Sequence, residues 1–337
     1  MRVAIVDIGT NSTRLLIADV DRETGAVRER ARHSQVTRLG QGVDSTGALS
    51  QDAVARVMET LEKYVSEIDE HGCEANLAVC TSAVRDAKNG GDFLARVRDK
   101  GLDARILAGE EEAQLTFLGA MSGREKEDET DDPSESRANG ERSDSTVGRK
   151  DRSGRGADEP TVVIDVGGGS TEFIVGSGRE AGFHVSLHAG VVRMSERHIH
   201  SDPPRPQELQ ELARDVRTVF LDGLPPQERA PVTRGIAVAG TATSAAAITQ
   251  ELDPYDPARV HGYELQLATV EMLLARLADM DEAERREVVG LHPDRAPTIV
   301  AGMILLGEAL RAFELEQVEV SEHDILFGGA LRLAGLG

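Results

Sequence analysis

At 337 residues the chain is longer than a usual single domain, and two domains are expected. Hydrophobic residues make up 39%, enough for a sizeable core, but aromatics are 3% and Trp is absent, so that core must be aliphatic. A formal net charge of −21 argues against a sequence-blind binder of nucleic acid or of anionic membranes.

Acidic residues number 59, against 33 Arg and five Lys. A densely acidic surface suits solubility at high salt, and GC-rich codon usage produces the same preference for Arg over Lys. Cys73 and Cys80 are the only cysteines, without a Cys-x-x-Cys pair, which excludes a zinc cluster or a disulfide framework and makes a reduced, cytoplasmic compartment the default expectation. The first apolar run is broken by Asp7 and Gly9, and the longest later run, Ile299 to Gly307, is too short to span a bilayer.

In chain order, Val3 to Val20 reads as two Val/Ile-rich strands around a Gly/Ser/Thr/Asn turn. Gln51 to His71 has helical apolar spacing, Asn76 to Cys80 reads as a strand, and Gly91 to Lys100 as a helix. A strand at Ala104 to Leu107 precedes a helix from Glu110 to Met121, whose first turn is acidic as the helix dipole favours. Residues 122–160 carry 12 acids, 8 Arg or Lys and only three hydrophobic residues, so they cannot bury a core and are expected to be a disordered, charged insertion. Val162 to Gly176 repeats the opening hairpin. Helices are expected at Pro206 to Leu221, Gln266 to Val289 and Asp294 to Glu314, and a short strand at Gly235 to Ala239 leads through a glycine turn into an Ala-rich helix.

Aligned on Asp7 and Asp165, 158 residues apart, the two hairpins share D-[I/V]-G-x-x-S-T-x-[L/F]-[L/I]-[I/V]. Two copies imply two related halves facing each other across a cleft. Three Gly/Ser/Thr loops therefore follow strands, at 7–13, 165–171 and 239–244. Glycines let the backbone approach an anion, and exposed N–H groups with hydroxyls cradle phosphate oxygens. No Gly-Lys-Ser/Thr occurs and no G-x-G-x-x-G sits in a Rossmann-like position, so neither nucleotide fold applies. Carboxylates beside such loops suit hydrated Mg²⁺: Asp165 and Glu172 are candidates to share an ion that Asp7 faces, the alternative being that the aspartates only bond their own turns. His184 with His188, and His198 with His200, alternate in ways that do not converge on a transition metal.

The motifs DIGTNSTRLLI (7–17), TSAVRDAKN (81–89), GEEEAQLTFLG (109–119), DVGGGSTEF (165–173), GVVRMSER (190–197), AGTATS (239–244) and SEHDILFGGAL (321–331) together resemble the Ppx/GppA phosphatases, exopolyphosphatases and guanosine pentaphosphate phosphohydrolases, along almost the whole chain. The resemblance implies an α/β fold of two actin-like, ribonuclease-H-like domains (1–121 and 161–337, the last residues packing back on the first) with the site in the interdomain cleft. It implies Glu112 as the general base, with Glu111 the neighbour most easily confused with it. From position alone, Glu110 to Glu112 are equally simple helix-start charges. It implies phosphate contacts from Arg85 and Arg193, for which a surface ion pair is the alternative. Asn11, Ser12, Thr13, Gly167, Gly168, Gly169, Ser170, Thr171, Gly240 and Thr241 complete the expected phosphate-binding set. The chain differs from longer members by the charged insertion and by stopping near residue 337, which puts processive handling of long chains in doubt.

The function so implied is a Mg²⁺-dependent phosphohydrolase acting on inorganic polyphosphate, with guanosine pentaphosphate next, partnering neither nucleic acid nor membrane. A homodimer is left open. The rivals are an actin-like-fold kinase, which would need an acceptor pocket, and a non-catalytic nucleotide or polyphosphate sensor.

Overall fold

A computed structural model describes residues 1–122, 159–178 and 180–336. The expectation for the insertion at 122–160 therefore lies, apart from its ends, outside the described residues.

The first lobe runs β1 (Arg2–Ile8), β2 (Ser12–Val20), β3 (Val27–Val36), α1 (Val43–Thr46), α2 (Gln51–His71), β4 (Ala75–Cys80), α3 (Ser82–Asp86), α4 (Gly90–Arg98), β5 (Ala104–Ile106) and α5 (Gly109–Met121). The second runs β6 (Thr161–Val166), β7 (Thr171–Ser177), β8 (Glu180–Leu187), α6 (Val191–His198), α7 (Pro206–Gly223), α8 (Pro226–Arg229), β9 (Arg234–Val238), α9 (Ala239–Thr249), α10 (Pro257–Val260) and β10 (Tyr263–Gln266). It continues with α11 (Leu267–Ala278), α12 (Glu282–Arg286), a 3-10 turn at Pro293–Arg295, α13 (Ile299–Ala312), β11 (Gln317–Val320) and α14 (Ile325–Leu333).

The first sheet has strand order β3-β2-β1-β4-β5 and the second β8-β7-β6-β9-β11-β10. In each, three antiparallel strands lead into parallel partners, β1 with β4 and β6 with β9. The repeat seen in the hairpins thus extends to both whole sheets, giving the doubled, ribonuclease-H-like, actin-like architecture. Among the described strands only β10 has no counterpart in the first lobe.

The strand after the first hairpin separates expectation from outcome. β3 reads VRERARHSQV and is mostly exposed at a sheet edge, so it carries none of the apolar alternation that marks β1 and β2. The single helix expected over 266–289 ends at Ala278 and resumes as α12, whose start is set by a capping box between Asp281 and Glu284. The helix expected from Asp294 begins at Ile299, because Pro293–Arg295 forms a 3-10 turn first. The expected glycine turn at 239–244 is the first turn of α9, which starts at Ala239 with φ of 64°.

Among the described residues four apolar clusters build and join the lobes. Two lie within single lobes: α2 and α4 cover one face of the first sheet, and α7, α9, α11 and α13 cover the second. The other two tie the lobes to each other through α5 and α14. Leu115 and Leu118 of α5 join Leu326, Phe327 and Leu331 of α14 against Val3, Ile5 and Leu16, while Ala113, Phe117 and Ala120 on the same α5 pack on Val163, Ile174 and Ile236 of the second sheet. The helix that ends the first lobe in sequence is therefore shared by both.

α5 and α14 cross where neither carries a side chain. A Cβ at Gly119 would lie 1.8 Å from Asp324 O, and one at Gly328 1.8 Å from Leu115 O, distances only glycine avoids. Gly328→Ala must push the helices apart and is expected to cost about 2–4 kcal/mol, read as a lower urea midpoint at unchanged slope. A loss below about 0.5 kcal/mol would show that the crossing is not tightly packed.

Candidate active site

Between the lobes lies a cavity of about 80 Å³ lined by both hairpin turns, the start of α5 and the start of α9. The antiparallel register explains how the carboxylates meet there. In β1 and β2 Asp7 stands opposite Arg14; in β6 and β7 Asp165 stands opposite Glu172. The repeat thus places a residue pair at the root of each turn, and the two copies differ at the second member, Arg in one and Glu in the other.

Of the expected residues, Asp7, Asn11, Ser12, Glu112, Asp165, Gly167, Gly168, Ser170, Glu172, Gly240 and Thr241 line this cavity. Gly168 and Gly169 sit where the second loop meets the first: a Cβ on either would come within 2.9 Å of Asn11 N or Ser82 Oγ. Gly240 admits a guanidinium, since a Cβ there would lie 1.6 Å from Arg295 Nη1.

Five expected residues have other occupations. Thr13 is buried with its hydroxyl 3.0 Å from Thr37 Oγ1, and Thr171 Oγ1 donates to Ala189 O at 2.5 Å, so both hydroxyls are spent inside their own lobe. Glu111 turns toward Arg105 at 3.7 Å, leaving Glu112 as the glutamate of the run that faces the cavity. Arg193 is the ion pair that was the alternative reading, bound to Asp44 and Asp86. Arg85 reaches the site through Glu112, donating from Nη1 to Glu112 Oε2 at 2.9 Å and to Leu107 O at 3.1 Å.

The sequence reading missed Arg14, Ser186, Arg295 and Asp324. Arg14 donates from Nε and Nη2 to Asp7 Oδ2, at 2.9 and 2.6 Å, and from Nη1 to Asp324, which also caps α14 by accepting from Leu326 N. The signal for Arg14 was present, as the position where the two repeats diverge. Arg295 and Ser186 lie outside every Gly/Ser/Thr loop and carried none.

Electrostatically the site is crowded with carboxylates. Burial pushes Glu112 up to about 7, partly opposed by Arg85. Burial and the charge of Glu112 push Glu172 up to about 8, although Ser170 and Ser186 donate to its Oε1 at 2.6 and 2.7 Å. Burial and then Glu172 raise Asp165 well above the usual carboxylate range, and burial raises Asp7 against the pull of Arg14. Burial works the same way on Asp324, but Arg14 and Arg32 outweigh it and hold that carboxyl below its usual range. Asp7 Oδ1 is buried and lacks any hydrogen-bond partner.

A divalent cation fits this donor set. Repelling carboxylates at a phosphate loop are relieved by positive charge, and Mg²⁺ ordinarily takes one or two protein carboxylates with waters and substrate phosphates. Among the described residues no three His, Cys, Asp or Glu side chains form a preset metal cage.

A second, larger cavity of about 360 Å³ adjoins the first, sharing Arg14, Ala239, Gly240 and Arg295. Arg14, Arg32 and Arg295 line it together with Glu29, Glu322 and Asp324, and Tyr255 bonds Glu322 across it.

Two actin-like lobes closing phosphate loops and a buried glutamate over one cavity define a phosphohydrolase of the two-lobed class. The family model for the Ppx/GppA phosphatase family matches residues 16–130 and 152–330, and the chain belongs to that family. It is 36% identical to Exopolyphosphatase 2 of Mycobacterium tuberculosis over 99% of both chains. Among solved structures it resembles the Aquifex aeolicus Ppx/GppA family member (27% identity, TM-score 0.76, covering 99% and 97% of the two chains). It also resembles an exopolyphosphatase from Cytophaga hutchinsonii (25% identity, TM-score 0.79, covering 100% and 99%). The protein is accordingly a phosphatase. Among the described residues no helix is long and apolar enough to cross a membrane.

The raised carboxylates bear on stability. A glutamate held near 8 in the folded protein and near 4.5 when unfolded binds a proton on folding. Its contribution is fully present below about pH 4.5 and is lost as pH rises through about 8. Glu172→Gln keeps a hydrogen-bond acceptor without the charge, so it is expected to raise Tm by a few degrees at pH 9 and to change it little at pH 4.5. Scanning calorimetry at the two pH values checks this, and an equal shift at both would contradict it.

Proposed function

We propose that this phosphatase removes the terminal phosphoryl group of inorganic polyphosphate by in-line attack of water. The observation that carries the reading is Glu112, a buried carboxyl held near 7 inside a cavity walled by two glycine loops. A general base works best when its pKa lies near the operating pH, and this one can accept a proton from a water at physiological pH.

In this reading the backbone N–H groups around Asn11, Ser12 and Gly168 and the hydroxyls of Ser12 and Thr241 surround the terminal phosphoryl group. Arg14 and Arg295 face the next phosphate, where guanidinium forks match phosphate oxygens. Glu112 takes a proton as the water oxygen bonds to phosphorus; the bridging P–O bond breaks, and its oxygen leaves on the shortened chain. Inorganic phosphate is the second product. Arg85 keeps Glu112 ionised and oriented and does not itself need to touch substrate. Mg²⁺ held by Asp165 and Glu172, with Asp7 facing, would neutralise phosphate charge and supply Lewis-acid polarisation.

A second reading has support in the adjoining cavity of about 360 Å³. Its three arginines are matched by three carboxylates, a near-neutral lining that suits a nucleoside better than a run of further phosphates, and so favours guanosine pentaphosphate. The two free cysteines suit a reducing compartment, and the reading places the enzyme in the cytoplasm.

Phosphate release with Mg²⁺ from polyphosphates of graded length, guanosine pentaphosphate and ATP, at low and molar salt, decides among these. Polyphosphate is expected to be cleaved, with Glu112→Gln slower by about 10²–10⁴-fold. No release from any anhydride, or full activity in Glu112→Gln, would overturn the proposal. The kcat/KM profile is expected to rise through about pH 7 as Glu112 ionises. Arg85 lowers that pKa, so Arg85→Gln is expected to move the rising limb to higher pH; an unmoved limb would assign the base to another group.

A further inference from the structure

The seam between the lobes on the side of the Gly168–Gly169 loop is closed by charge. Arg193, near the start of α6, spans it: Nε donates to Gly169 O of its own lobe at 2.9 Å, Nη1 to Asp44, and Nη2 to Asp86 Oδ2 at 3.3 Å, both carboxylates belonging to the first lobe. One turn on, Arg197 Nη2 donates to Asp44 Oδ2 at 3.1 Å and Nη1 to Asp215 Oδ2 at 3.3 Å. Between them, Glu196 Oε1 accepts from Gly42 N at 3.3 Å. One short stretch of α6 therefore grips both α1 and the end of α3.

The same stretch carries the second phosphate loop. Val191 N donates to Gly167 O at 2.9 Å and Val192 N to Gly168 O at 2.8 Å, so α6 and that loop move as one piece. The loop is also pressed on the opposite turn, as the approaches of a Cβ at Gly168 to Asn11 N (2.9 Å) and at Gly169 to Thr10 Oγ1 (3.1 Å) show. Arg193 does not line the 80 Å³ cavity where the phosphoryl group would sit.

We propose that Arg193 is a positioning residue that latches the two lobes shut through Asp44 and Asp86, seating the second glycine loop against the first. A lysine could do this only in part, because one ammonium cannot spread fixed donors over a carbonyl and two carboxylates as a planar guanidinium does. Asp44 and Asp86 are 36% and 27% exposed, so the pairs are partly screened and the latch is reversible and weakened by salt. Reversibility is needed, because a substrate must enter between loops that touch.

The latch predicts a particular kinetic signature, and that part alone rests on the hydrolase reading. If only the closed form binds well, apparent affinity falls in proportion to the closed fraction, whereas a bound chain recloses the loops and turns over normally. An arginine touching the reacting phosphate would instead lower kcat when removed, through lost transition-state stabilisation.

The test is Asp44→Asn/Asp86→Asn in the full chain, which removes the cross-lobe partners and leaves Arg193 on Gly169. Spin labels at Glu59→Cys on α2 and Met272→Cys on α11, both exposed, in a Cys73→Ser background, report lobe separation without substrate. At low salt the parent should give one narrow distance and the variant a longer, broader distribution. KM for the cleaved anhydride should rise about fivefold with kcat within about twofold. Arg193→Lys should restore part of the affinity that Arg193→Gln loses.

An unchanged distance overturns the latch whatever KM does. So does a collapse of kcat in Arg193→Gln that Asp44→Asn/Asp86→Asn does not share, which would put Arg193 on the substrate. Labels that separate in a protein releasing no phosphate would uphold the latch and remove the hydrolase reading instead.

Discussion

The close crossing of α5 and α14 is the constraint on which the cleft depends. Backbone meets backbone at Gly119 and Gly328, so each helix can lie against the other and still reach its own sheet. From that crossing the N-terminal end of α5 delivers Glu112 to the cavity, and the start of α14 delivers Asp324 to Arg14. The apolar residues flanking the crossing tie it to both sheets, so the catalytic candidates from two lobes are positioned by one shared joint rather than by their loops. Among the described residues this joint, through α5, is the apolar contact zone that draws on both sheets.

The second organising feature is unequal charge in a repeated scaffold. The duplicated hairpin supplies the same aspartate twice, yet Arg14 opposes one copy and Glu172 the other. The first half is neutralised internally by the Asp7–Arg14–Asp324 cluster, while the second sets Asp165 opposite Glu172, two carboxyls that burial and neighbouring carboxylates push toward holding a proton. In the proposed reaction that asymmetry separates the work of the two lobes: one would present a guanidinium to the anion, the other a carboxylate pair to a cation. The raised carboxylates carry a cost in stability at neutral pH, the usual sign of groups arranged for chemistry rather than for folding.

Both faces of the cleft are also bridged by arginine pairs, Arg193 on one side and Arg32 with Glu322 on the other. In a chain with 59 acids and only five Lys, these guanidiniums are placed where they meet acidic partners across the lobes. In the proposed latch the partial exposure of Asp44 and Asp86 makes closure sensitive to ionic strength.

Much was legible in the residues alone. The β1–β2 and β6–β7 hairpins were visible because apolar runs flank a Gly/Ser/Thr turn, and α2 because its apolar positions repeat at helical spacing. The duplicated aspartate announced two lobes with a cleft between them. β3 was not legible, since an exposed edge strand bears no alternation, nor was the break after Ala278, which depends on a capping box within an apolar pattern. By itself the sequence determined the repeat, the loops, the family motifs and hence the chemistry near a phosphate, because these are encoded in local spacing. Only the tertiary structure decided which of Glu111 and Glu112 faces the cavity, that Thr13 and Thr171 spend their hydroxyls inside the lobes, and that Arg193 holds carboxylates while Arg14 and Arg295 face the site. Those outcomes depend on where separate segments of the chain meet, and no local pattern carries the direction of a side chain across a cleft.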